Sequence, residues 1–480
     1  MDKRVDHLPP HVETVPINFD HVDENLKWED FFPEWIDEDQ KWGPPKCPRM
    51  PLPSPENFQD LNVVVARLPC GHKKEGIRDL FRLQVNLVVA NLAVGSGLVS
   101  FDSYRTVFVV FIGSCGPMVE IFRCDDLLTQ RGEYWVYKPK LKWLKQVTLM
   151  PVSSCQIAPS FAETGKELWR PYMSQSTLMK KNLSTGVPKV AYVTVLHSSE
   201  AYVCGAIALA QSILRTHKYS LNPNTQLLLL ADKSIGPKSI RGLKAAGWKI
   251  KRIQRILSPF AKKDSYNRWN YSKLRIWQLT NYDKVIFLDS DLLVLNNIYH
   301  FSIYPQLSAA PNDLSLFNSG FMIIEPSLCM FEHLMQKTFR VESYNGGDQG
   351  FLNEIFTWWH RLPSRLNYLK INNQQKELTA NDVYAIHYLG LKPWMCYKDY
   401  DCNWDMKDHQ IFASDSAHRR WWEVYEEMPK ELQAYCGLTK KMEDRLVKWR
   451  GRAANATLAD AHWKIEVKDS RREHYVEEDK

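Results

Sequence analysis

Two aspartates one residue apart, Asp289 and Asp291, separate the apolar runs 285–288 and 292–295 in the stretch KVIFLDSDLLVLNN at 284–297. In an extended segment residues i and i+2 point the same way, so the two carboxylates can converge on one point. Unpaired carboxylates there would repel each other and lose solvation, whereas a hard divalent cation such as Mg²⁺ or Mn²⁺ removes both costs. Solvated turn aspartates are the alternative interpretation. The position after a buried strand favours the metal.

A second segment, AIHYLGLKPW at 385–394, offers further groups of the right kind. A cation held by two carboxylates keeps open positions, which substrate phosphates usually fill. His387 can supply a neutral imidazole ligand, and Lys392, past Gly390, can place a positive charge on a diphosphate. Taken alone, a histidine in such a segment is more often an ordinary core or loop residue.

The elements that must position these groups begin at about residue 187. Strand-like segments alternate with helical spacing, in the order strand 190–196, helix 203–218, strand 225–232, helix 237–247, strand 248–256, helix 270–282 capped by Ser272, and strand 284–288. This alternation predicts an α/β fold with a mostly parallel sheet covered by helices on both faces. Ligands of such sheets bind at the carboxyl ends of the strands, which is where Asp289 stands.

Length and composition predict further regions before and after that core. The 480 residues exceed a usual single domain. We expect a Pro- and aromatic-rich arm over 1–60, an N-terminal α/β region over 61–186, the core over 187–395 and a C-terminal extension over 396–480. The apolar segment 83–98 is interpreted as a buried helix or strand. The net charge of +7 suits an anionic small ligand and shows no concentrated stripe for nucleic acid.

The cysteines and the N-terminal residues give information about the cellular compartment of the protein. The ten cysteines include no C-x-x-C pair, which argues against a zinc knuckle. Cys396 and Cys402 are close enough in sequence to pair in an oxidising lumen, but buried free thiols are the favoured interpretation. The N-terminal MDKRVDHLPP has no apolar core of a signal peptide, so the chain as written is expected to be soluble.

Four ordered motifs carry a resemblance to a known family. FLDSDLLVLNNI, LFNSGFMIIEPS, YNGGDQGFLNEIF and HYLGLKPW together resemble glycosyltransferase family 8, which includes glycogenin and the galactinol synthases. The segments LKWEDFFPEWIDE and CYKDYDCNWD resemble its plant branch, the glucuronosyltransferases that substitute xylan in cell-wall synthesis. With these flanks the likeness covers nearly the whole chain.

The resemblance implies a GT-A fold, a UDP-linked sugar donor and Mn²⁺. It places Asp289, Asp291 and His387 on the metal and Lys392 on the leaving diphosphate, with Lys392, Asp348 and Lys273 as catalytic candidates. The donor-site residues that it implies also include Tyr202, Lys273, Ser290, Asn318, Ser319, Gly320, Asn345, Gly346, Gly347, Asp348, Gln349 and Gly390. Tyr202 and Lys273 match nucleotide-side positions, and Asp348 and Gln349 would lie beside the anomeric carbon.

Two questions about the reaction stay open at this level. The family retains anomeric configuration, so Asp348 is the candidate nucleophile of a double displacement. It is equally a candidate helix N-cap, and a same-face attack without a covalent intermediate is the other route. Asn345 stands where glycogenin-like motifs have Asp, which suits an acidic donor sugar, and Arg268 is the candidate cation for its carboxylate or else a surface residue.

The expected function is transfer of glucuronate from UDP-glucuronate to xylan in the Golgi lumen. The plant branch normally has an N-terminal membrane anchor that this chain does not show, so a missing anchor or partner proteins would hold it there. The alternatives are a glycogenin-like glucosyltransferase using UDP-glucose, and an inactive sugar-binding subunit. The presence of Asp289, Asp291, His387 and Lys392 argues against the inactive subunit.

Overall fold

A computed structural model describes residues 12–54, 58, 60–70, 78–100, 103–159, 188–218, 221, 223–312, 315–371, 383–473 and 475. The candidate site residues all lie within these ranges. Two main sheets, one of four strands and one of seven, organise the described part of the chain.

The N-terminal part forms the four-stranded sheet and its covering helices. Its elements are α1 Trp28–Phe31, β1 Val63–Arg67, α2 Leu80–Gly97, β2 Leu98–Ser100, β3 Ser103–Tyr104, β4 Phe108–Ile112, β5 Leu127–Arg131, β6 Tyr134–Tyr137 and α3 Leu141–Thr148. The sheet order is β1-β4-β6-β5. Trp28 and Phe31 of the arm are buried in the same core. All of these strands, with helices α2 and α3, lie within the range 61–186 for which an N-terminal α/β region was predicted.

Helix α2 contains most of the apolar segment predicted to be buried. Within the described ranges it is the helix whose length and composition would suit a membrane span, yet 78% of it is buried inside the protein. Its two internal asparagines also serve the fold, since Asn86 Nδ2 donates to Arg82 O and Asn91 Nδ2 donates to Leu87 O. The interpretation as a buried helix is confirmed.

The seven-stranded sheet carries the candidate site. Its elements and their neighbours are β7 Val190–Leu196, α4 Val203–Thr216, β8 Thr225–Ala231, α5 Pro237–Ala245, β9 Lys249–Arg252, β10 Lys284–Leu288, β11 Leu292–Val294, β12 Ser308–Pro311, β13 Phe317–Ile324, α6 Leu328–Lys337, α7 Asp348–Ile355, β14 His360–Arg361, β15 Tyr368–Leu369 and β16 Ala385–His387. The order is β14-β12-β13-β10-β7-β8-β9, and β13 runs antiparallel to both of its neighbours. The other pairs are parallel, which confirms the mostly parallel α/β sheet. A separate three-stranded sheet, β11-β16-β15, lies at its edge.

A helix forms where one was predicted over 270–282, but its type and start differ, and the predicted capping role of Ser272 is wrong. The chain instead forms a 3₁₀-helix over Tyr266–Gln278, and Ser272 is buried within it rather than capping it. The Ser272 hydroxyl accepts the backbone N–H of Ile256 at 3.0 Å, so it ties this segment to the chain that follows β9. A 3₁₀ run of 13 residues is unusual and often marks a functional segment.

The favoured interpretation of the cysteines as free thiols is also wrong. All ten form disulfides, which join Cys47 to Cys155, Cys70 to Cys115, Cys124 to Cys329, Cys204 to Cys436, and Cys396 to Cys402. The Cys204–Cys436 bond links positions 232 residues apart, a pairing that only the tertiary fold creates. It attaches α4 to the C-terminal extension, whose helices are α8 Asp415–Glu427, α9 Lys430–Gln433 and α10 Lys440–Asn455.

Candidate active site

The predicted metal-binding residues come together at the end of β10. Asp289 follows the last residue of this fully buried strand, and its N–H donates to Gly320 O at 2.9 Å. Antiparallel pairing of Leu292 with His387 brings the imidazole beside Asp291. Ligand atoms of Asp289, Asp291 and His387 all lie within 4.8 Å of one another. Three donors at this spacing fit one divalent cation and leave coordination positions open.

The orientation of His387 fits a metal ligand. Its Nδ1 lies 3.1 Å from Asn367 Oδ1, and its Nε2 lies 3.2 Å from Asp291 Oδ1. Because an amide oxygen only accepts, this hydrogen bond assigns the proton to Nδ1. The His387 Nε2 then faces the Asp291 carboxylate oxygen, and a divalent cation bound to both groups would lie between them. A second nitrogen held by a hydrogen bond is also usual for metal-bound histidine.

Lys392 contacts the other oxygen of the same carboxylate. Its Nζ lies 2.7 Å from Asp291 Oδ2 and also donates to Tyr388 O. Burial opposes the charged form of Asp291, but Lys392 and His387 outweigh it and hold the pKa of that carboxyl well below its usual range. Burial likewise opposes the charge on Lys392, and Asp291 outweighs it and raises the pKa of the ammonium. The site therefore holds a permanent positive charge beside the cation ligands.

The turn between His387 and Lys392 is held by the C-terminal extension. Gly390 has a φ of +71°, and a Cβ there would lie 2.5 Å from Asn403 Oδ1. Glycine accepts the positive φ and, having no Cβ, leaves room for the Asn403 side chain. The same Asn403 accepts from Leu391 N at 2.8 Å and donates to Leu391 O at 3.0 Å. Lys392 is thus positioned by a residue outside the predicted core.

Lys273 joins the metal ligands to the second half of the site. Its Nζ lies 3.0 Å from Asp289 Oδ1, 2.6 Å from Asp348 Oδ2 and 3.2 Å from Ser319 O. Burial opposes the ammonium, but Asp289 and Asp348 together outweigh it and raise the Lys273 pKa. Burial also raises the pKa of Asp289, and Lys273 only partly offsets this. One buried cation therefore keeps two carboxylates close together.

Asp348 is not the N-cap of α7, and that interpretation is wrong. Gly347 occupies the N-cap, and Asp348 is the first helical residue. Its carboxylate turns to Lys273 and accepts from the Ser319 hydroxyl at 2.8 Å. The carboxylate thus pairs with a buried ammonium rather than with the free N–H groups at the start of the helix. Both contacts use Oδ2, which leaves Oδ1 for a ligand.

Replacing Lys273 with methionine is expected to destabilise the fold by about 3–5 kcal/mol, because it leaves the buried Asp348 carboxylate and the partly exposed Asp289 carboxylate without their cation. Urea unfolding of the variant and the wild type measures the difference. Adding Asp348→Asn should recover part of the loss, since it removes one of the stranded charges. The exposed Lys244→Met is the control. Equal unfolding midpoints for Lys273→Met and Lys244→Met would contradict the role of Lys273.

The residues predicted to line the donor sugar meet the metal ligands at the start of β13. Asn318 Oδ1 accepts from Gly320 N at 2.8 Å. A Cβ on Gly320 would lie 2.6 Å from His387 Cε1, so glycine lets the imidazole lie against the strand. Gln349 Oε1 accepts from Ser319 N at 3.2 Å. These contacts join the second and third sequence motifs into one wall.

The Asn345 side chain organises its own loop. Its Oδ1 accepts from Gly347 N at 2.9 Å and from Gly350 N at 3.2 Å. A carboxylate oxygen could accept the same bonds, so the loop itself does not demand asparagine. Gly346 has a φ of +68°, and its Cβ would lie 2.9 Å from Phe260 O. The loop is therefore in backbone contact with the segment that precedes the 3₁₀-helix.

Tyr202 lies beside the Asp289–Asp291 motif, and Ser290 lies within it. Tyr202 ends a short 3₁₀ turn after β7, and its ring lies 5.9 Å from Lys392 Nζ and 5.9 Å from the Trp394 ring. Ser290 is buried, and a Cβ on Gly205 would lie 2.5 Å from Ser290 O. The first turn of α4 thus packs directly on the aspartate motif.

His197 and Asp232, at the ends of β7 and β8, were missed from the sequence, as was Arg255 after β9. Asp232 is buried and pairs with Arg255 at 3.0 Å. His197 interacts electrostatically with Asp232, Arg255, Lys273 and Asp348, and burial lowers its pKa to about 4. For His197 and Asp232, the position at the carboxyl ends of two predicted parallel strands was the available signal, because ligands bind at that edge.

Arg268 lies beside this group. Its guanidinium is 5.3 Å from the centre of the Trp269 ring, and that of Arg255 is 4.3 Å from the same ring. In the ranges that the structure describes, no carboxylate pairs with Arg268, whereas Arg255 has Asp232. The neighbouring Asn267 donates to Asn345 O at 2.9 Å. Arg268 therefore belongs to a segment that borders the Asn345 loop.

Comparison with known proteins agrees with this geometry. Residues 2–155 match the GUX1-5 N-terminal domain, and residues 193–310 match Glycosyl transferase family 8. The Arabidopsis thaliana protein named "Putative UDP-glucuronate:xylan alpha-glucuronosyltransferase 4" is 54% identical over 97% of this chain and 83% of its own length. "UDP-glucuronate:xylan alpha-glucuronosyltransferase 2" of the same plant is 48% identical over 96% and 77%. Human "Glycogenin-2" is 30% identical over 55% and 56%.

The similarity to the plant proteins extends from the arm to the C-terminal extension, as the predicted branch requires. The Asp289–Asp291–His387 cluster, with Lys392 bonded to Asp291, lies at the end of a strand of the parallel-rich sheet. The chain belongs to glycosyltransferase family 8, with a GT-A-type fold, and is a glycosyltransferase of its plant xylan-glucuronosyltransferase branch.

Proposed function

We propose that this glycosyltransferase transfers glucuronate from UDP-glucuronate to xylan with Mn²⁺ as its cofactor. The observation that carries the proposal is the cluster of Asp289, Asp291 and His387 with Lys392 bonded to it. That arrangement suits a cation–diphosphate leaving group. The donor and acceptor are supported by the names of the relatives that are similar along nearly the full chain.

The chain's own residues supply most of the electrostatics of the reaction. A divalent cation bound to the cluster would add Lewis-acid stabilisation of the diphosphate. Lys392 presents an ammonium beside the same cluster, where the departing diphosphate gains charge. Asn367 holds the imidazole of His387 in its orientation. Asn403 fixes the turn that carries Lys392, so the ammonium is in place before reaction.

Asp348 serves in this proposal as a fixed carboxylate beside the anomeric carbon. Lys273 and Ser319 hold it through Oδ2, and Oδ1 is left to face the donor. A negative charge there stabilises an oxocarbenium-like centre, whether the carboxylate then bonds to carbon or only faces it. Either route is compatible with retention of configuration.

The donor carboxylate has a candidate partner in Arg268. This guanidinium lies on Trp269, in the segment bonded to the Asn345 loop, and has no carboxylate partner in the described ranges. An arginine can bind a carboxylate through two parallel hydrogen bonds. The absence of an acid at Asn345 removes repulsion of a glucuronate carboxylate, an effect of roughly 1–3 kcal/mol in a partly desolvated site.

Donor choice is tested with the purified protein, Mn²⁺ and xylo-oligosaccharide, using UDP-glucuronate and UDP-glucose in competition. The expected product carries glucuronate, and chelation stops its formation. Equal incorporation of both sugars would remove the donor assignment. Glucose incorporation alone would favour the glycogenin-like alternative, and binding of donor without turnover would favour an inactive subunit.

Asn345→Asp is expected to lower the preference for UDP-glucuronate over UDP-glucose about tenfold, the equivalent of about 1.4 kcal/mol. The variant keeps an acceptor oxygen for Gly347 N and Gly350 N. The substitution therefore changes the charge at this position without removing these hydrogen bonds. The ratio of kcat/KM for the two donors measures it. Asn345→Ser is the uncharged control and should keep the preference. An unchanged ratio in the aspartate variant would show that Asn345 does not discriminate between donors.

We also propose that the protein works in the oxidising lumen of the Golgi apparatus. Ten cysteines paired in five disulfides support this, because disulfides persist in secretory compartments and are rare where thiols are kept reduced. Cell fractionation with protease protection of a tagged chain tests it, and cytosolic protein with reduced thiols would contradict it.

A further inference from the structure

Three large aromatic side chains are exposed on two segments that border the candidate active site. Phe260 and Tyr266 lie on the segment after β9, with 39% and 84% of their surface exposed, and Tyr344 lies just before α7 with 54% exposed. Single exposed apolar residues are common and need no explanation. Three on segments beside the candidate active site are a different observation, because their exposed aromatic surface lies within reach of a ligand of that site.

The two segments are fastened to each other. Asn267 Nδ2 donates to Asn345 O at 2.9 Å. A Cβ on Gly346 would lie 2.9 Å from Phe260 O and 3.1 Å from Ala261 Cα, so the backbones are in direct contact. Asn270 in turn donates to Asn267 Oδ1 at 2.9 Å. The aromatic side chains therefore stand on a preformed wall rather than on two independent loops.

Contacts also connect this wall to the groups that would handle the donor. The Tyr344 hydroxyl accepts from Gln349 Nε2 at 2.8 Å, and Gln349 Oε1 accepts from Ser319 N. At the other end, Tyr266 is close enough to Tyr202 for their hydroxyl groups to interact electrostatically. The exposed rings thus run from the predicted sugar side to the predicted nucleotide side.

We propose that Phe260, Tyr266 and Tyr344 form a platform for a chain of linked pyranose rings, the acceptor of the reaction. This inference rests on the proposed transfer to a polysaccharide. A pyranose presents apolar C–H faces that stack on aromatic rings, and rigid aromatic side chains lose little conformational entropy on binding. A xylan backbone, whose xylose rings have no exocyclic hydroxymethyl group, lies flat on such a surface. The platform residues act by positioning the acceptor, not by touching the reacting atoms.

The first test measures transfer kinetics with xylo-oligosaccharides of increasing length. Tyr266→Ala should raise the acceptor KM about tenfold for long oligomers and less for short ones, since short chains do not reach the whole platform. The ratio of transfer to donor hydrolysis should fall with it. Tyr266→Phe keeps the ring and should restore the wild-type KM. Tyr134→Ala, an equally simple change at a 55% exposed tyrosine on β6, is the control.

The second test requires no donor. Electrophoresis through a gel containing xylan should retard the wild type and Tyr134→Ala, and should retard Tyr266→Ala and Phe260→Ala less. Equal retardation of all four, with an unchanged acceptor KM, would overturn the platform while leaving the donor chemistry intact. If xylan retards the wild type more than the Tyr266→Ala and Phe260→Ala variants, but the wild type transfers no sugar, the proposed function is contradicted and the platform is supported.

Discussion

Asp291→Asn is expected to lower transfer at least about 1000-fold, a loss of about 4 kcal/mol in transition-state stabilisation. Asp291 contacts His387 through one oxygen and Lys392 through the other, so it organises both the proposed metal site and the ammonium. Removing its charge weakens cation binding and leaves Lys392 without its partner. Steady-state transfer assays over a range of Mn²⁺ concentrations measure the loss of activity and show whether weaker cation binding contributes to it.

A direct measurement of metal binding tests the proposed metal site independently of transfer activity. Isothermal titration with Mn²⁺ should show weaker binding in Asp291→Asn than in the wild type, because a charged ligand is replaced by a neutral one. Asp283→Asn is the matched control, since Asp283 is an exposed aspartate at the opposite end of the same strand. Wild-type transfer by Asp291→Asn in the presence of a chelator would refute the metal site.

Lys392→Ala is expected to lower kcat about 100-fold, or about 2.7 kcal/mol, with a much smaller change in donor KM. The reason is that the diphosphate gains most of its charge in the transition state, where a fixed and nearly buried ammonium is worth most. Initial rates over a range of donor concentrations separate the two constants. Lys398→Ala, at an exposed lysine on the same segment, is the control.

A change of leaving group gives this prediction a second readout. A glucuronosyl fluoride donor releases fluoride instead of a diphosphate. The rate of transfer from this donor should therefore depend less on Lys392 than the rate of transfer from UDP-glucuronate does. An equal loss with both donors would mean that Lys392 supports the structure of the site. A loss confined to KM would mean that it only binds the donor.

Much of the site could be predicted from the chain because its parts are local. The run 285–288 is apolar throughout, which predicted a buried strand with Asp289 and Asp291 at its carboxyl end. The spacing of His387 and Lys392 placed a ligand and a cation on one short turn. Such short-range relations are set by backbone geometry and solvation, and they survive in any fold that buries the strand.

Other features depended on contacts between distant segments. From the sequence Asp348 was equally a candidate helix cap and a candidate nucleophile, and the fold instead puts Gly347 at the cap and Lys273 2.6 Å from the Asp348 carboxylate. The cysteines looked like free thiols until partners as far apart as 232 residues met in space. Ser272 serves as a tie to Ile256, and Asn403 as a brace for the Lys392 turn.

By itself, then, the sequence determined the α/β sheet, the strand that ends in the metal ligands, the family and the residue types of the site. Local periodicity and apolar patterning encode these features directly. Only the tertiary structure decided which charge neutralises which, that Asn345 Oδ1 serves its own loop, and that His197, Asp232 and Arg255 join the same edge. Those outcomes depend on distances of a few ångströms between remote segments, and electrostatic and hydrogen-bond energies change steeply over that range.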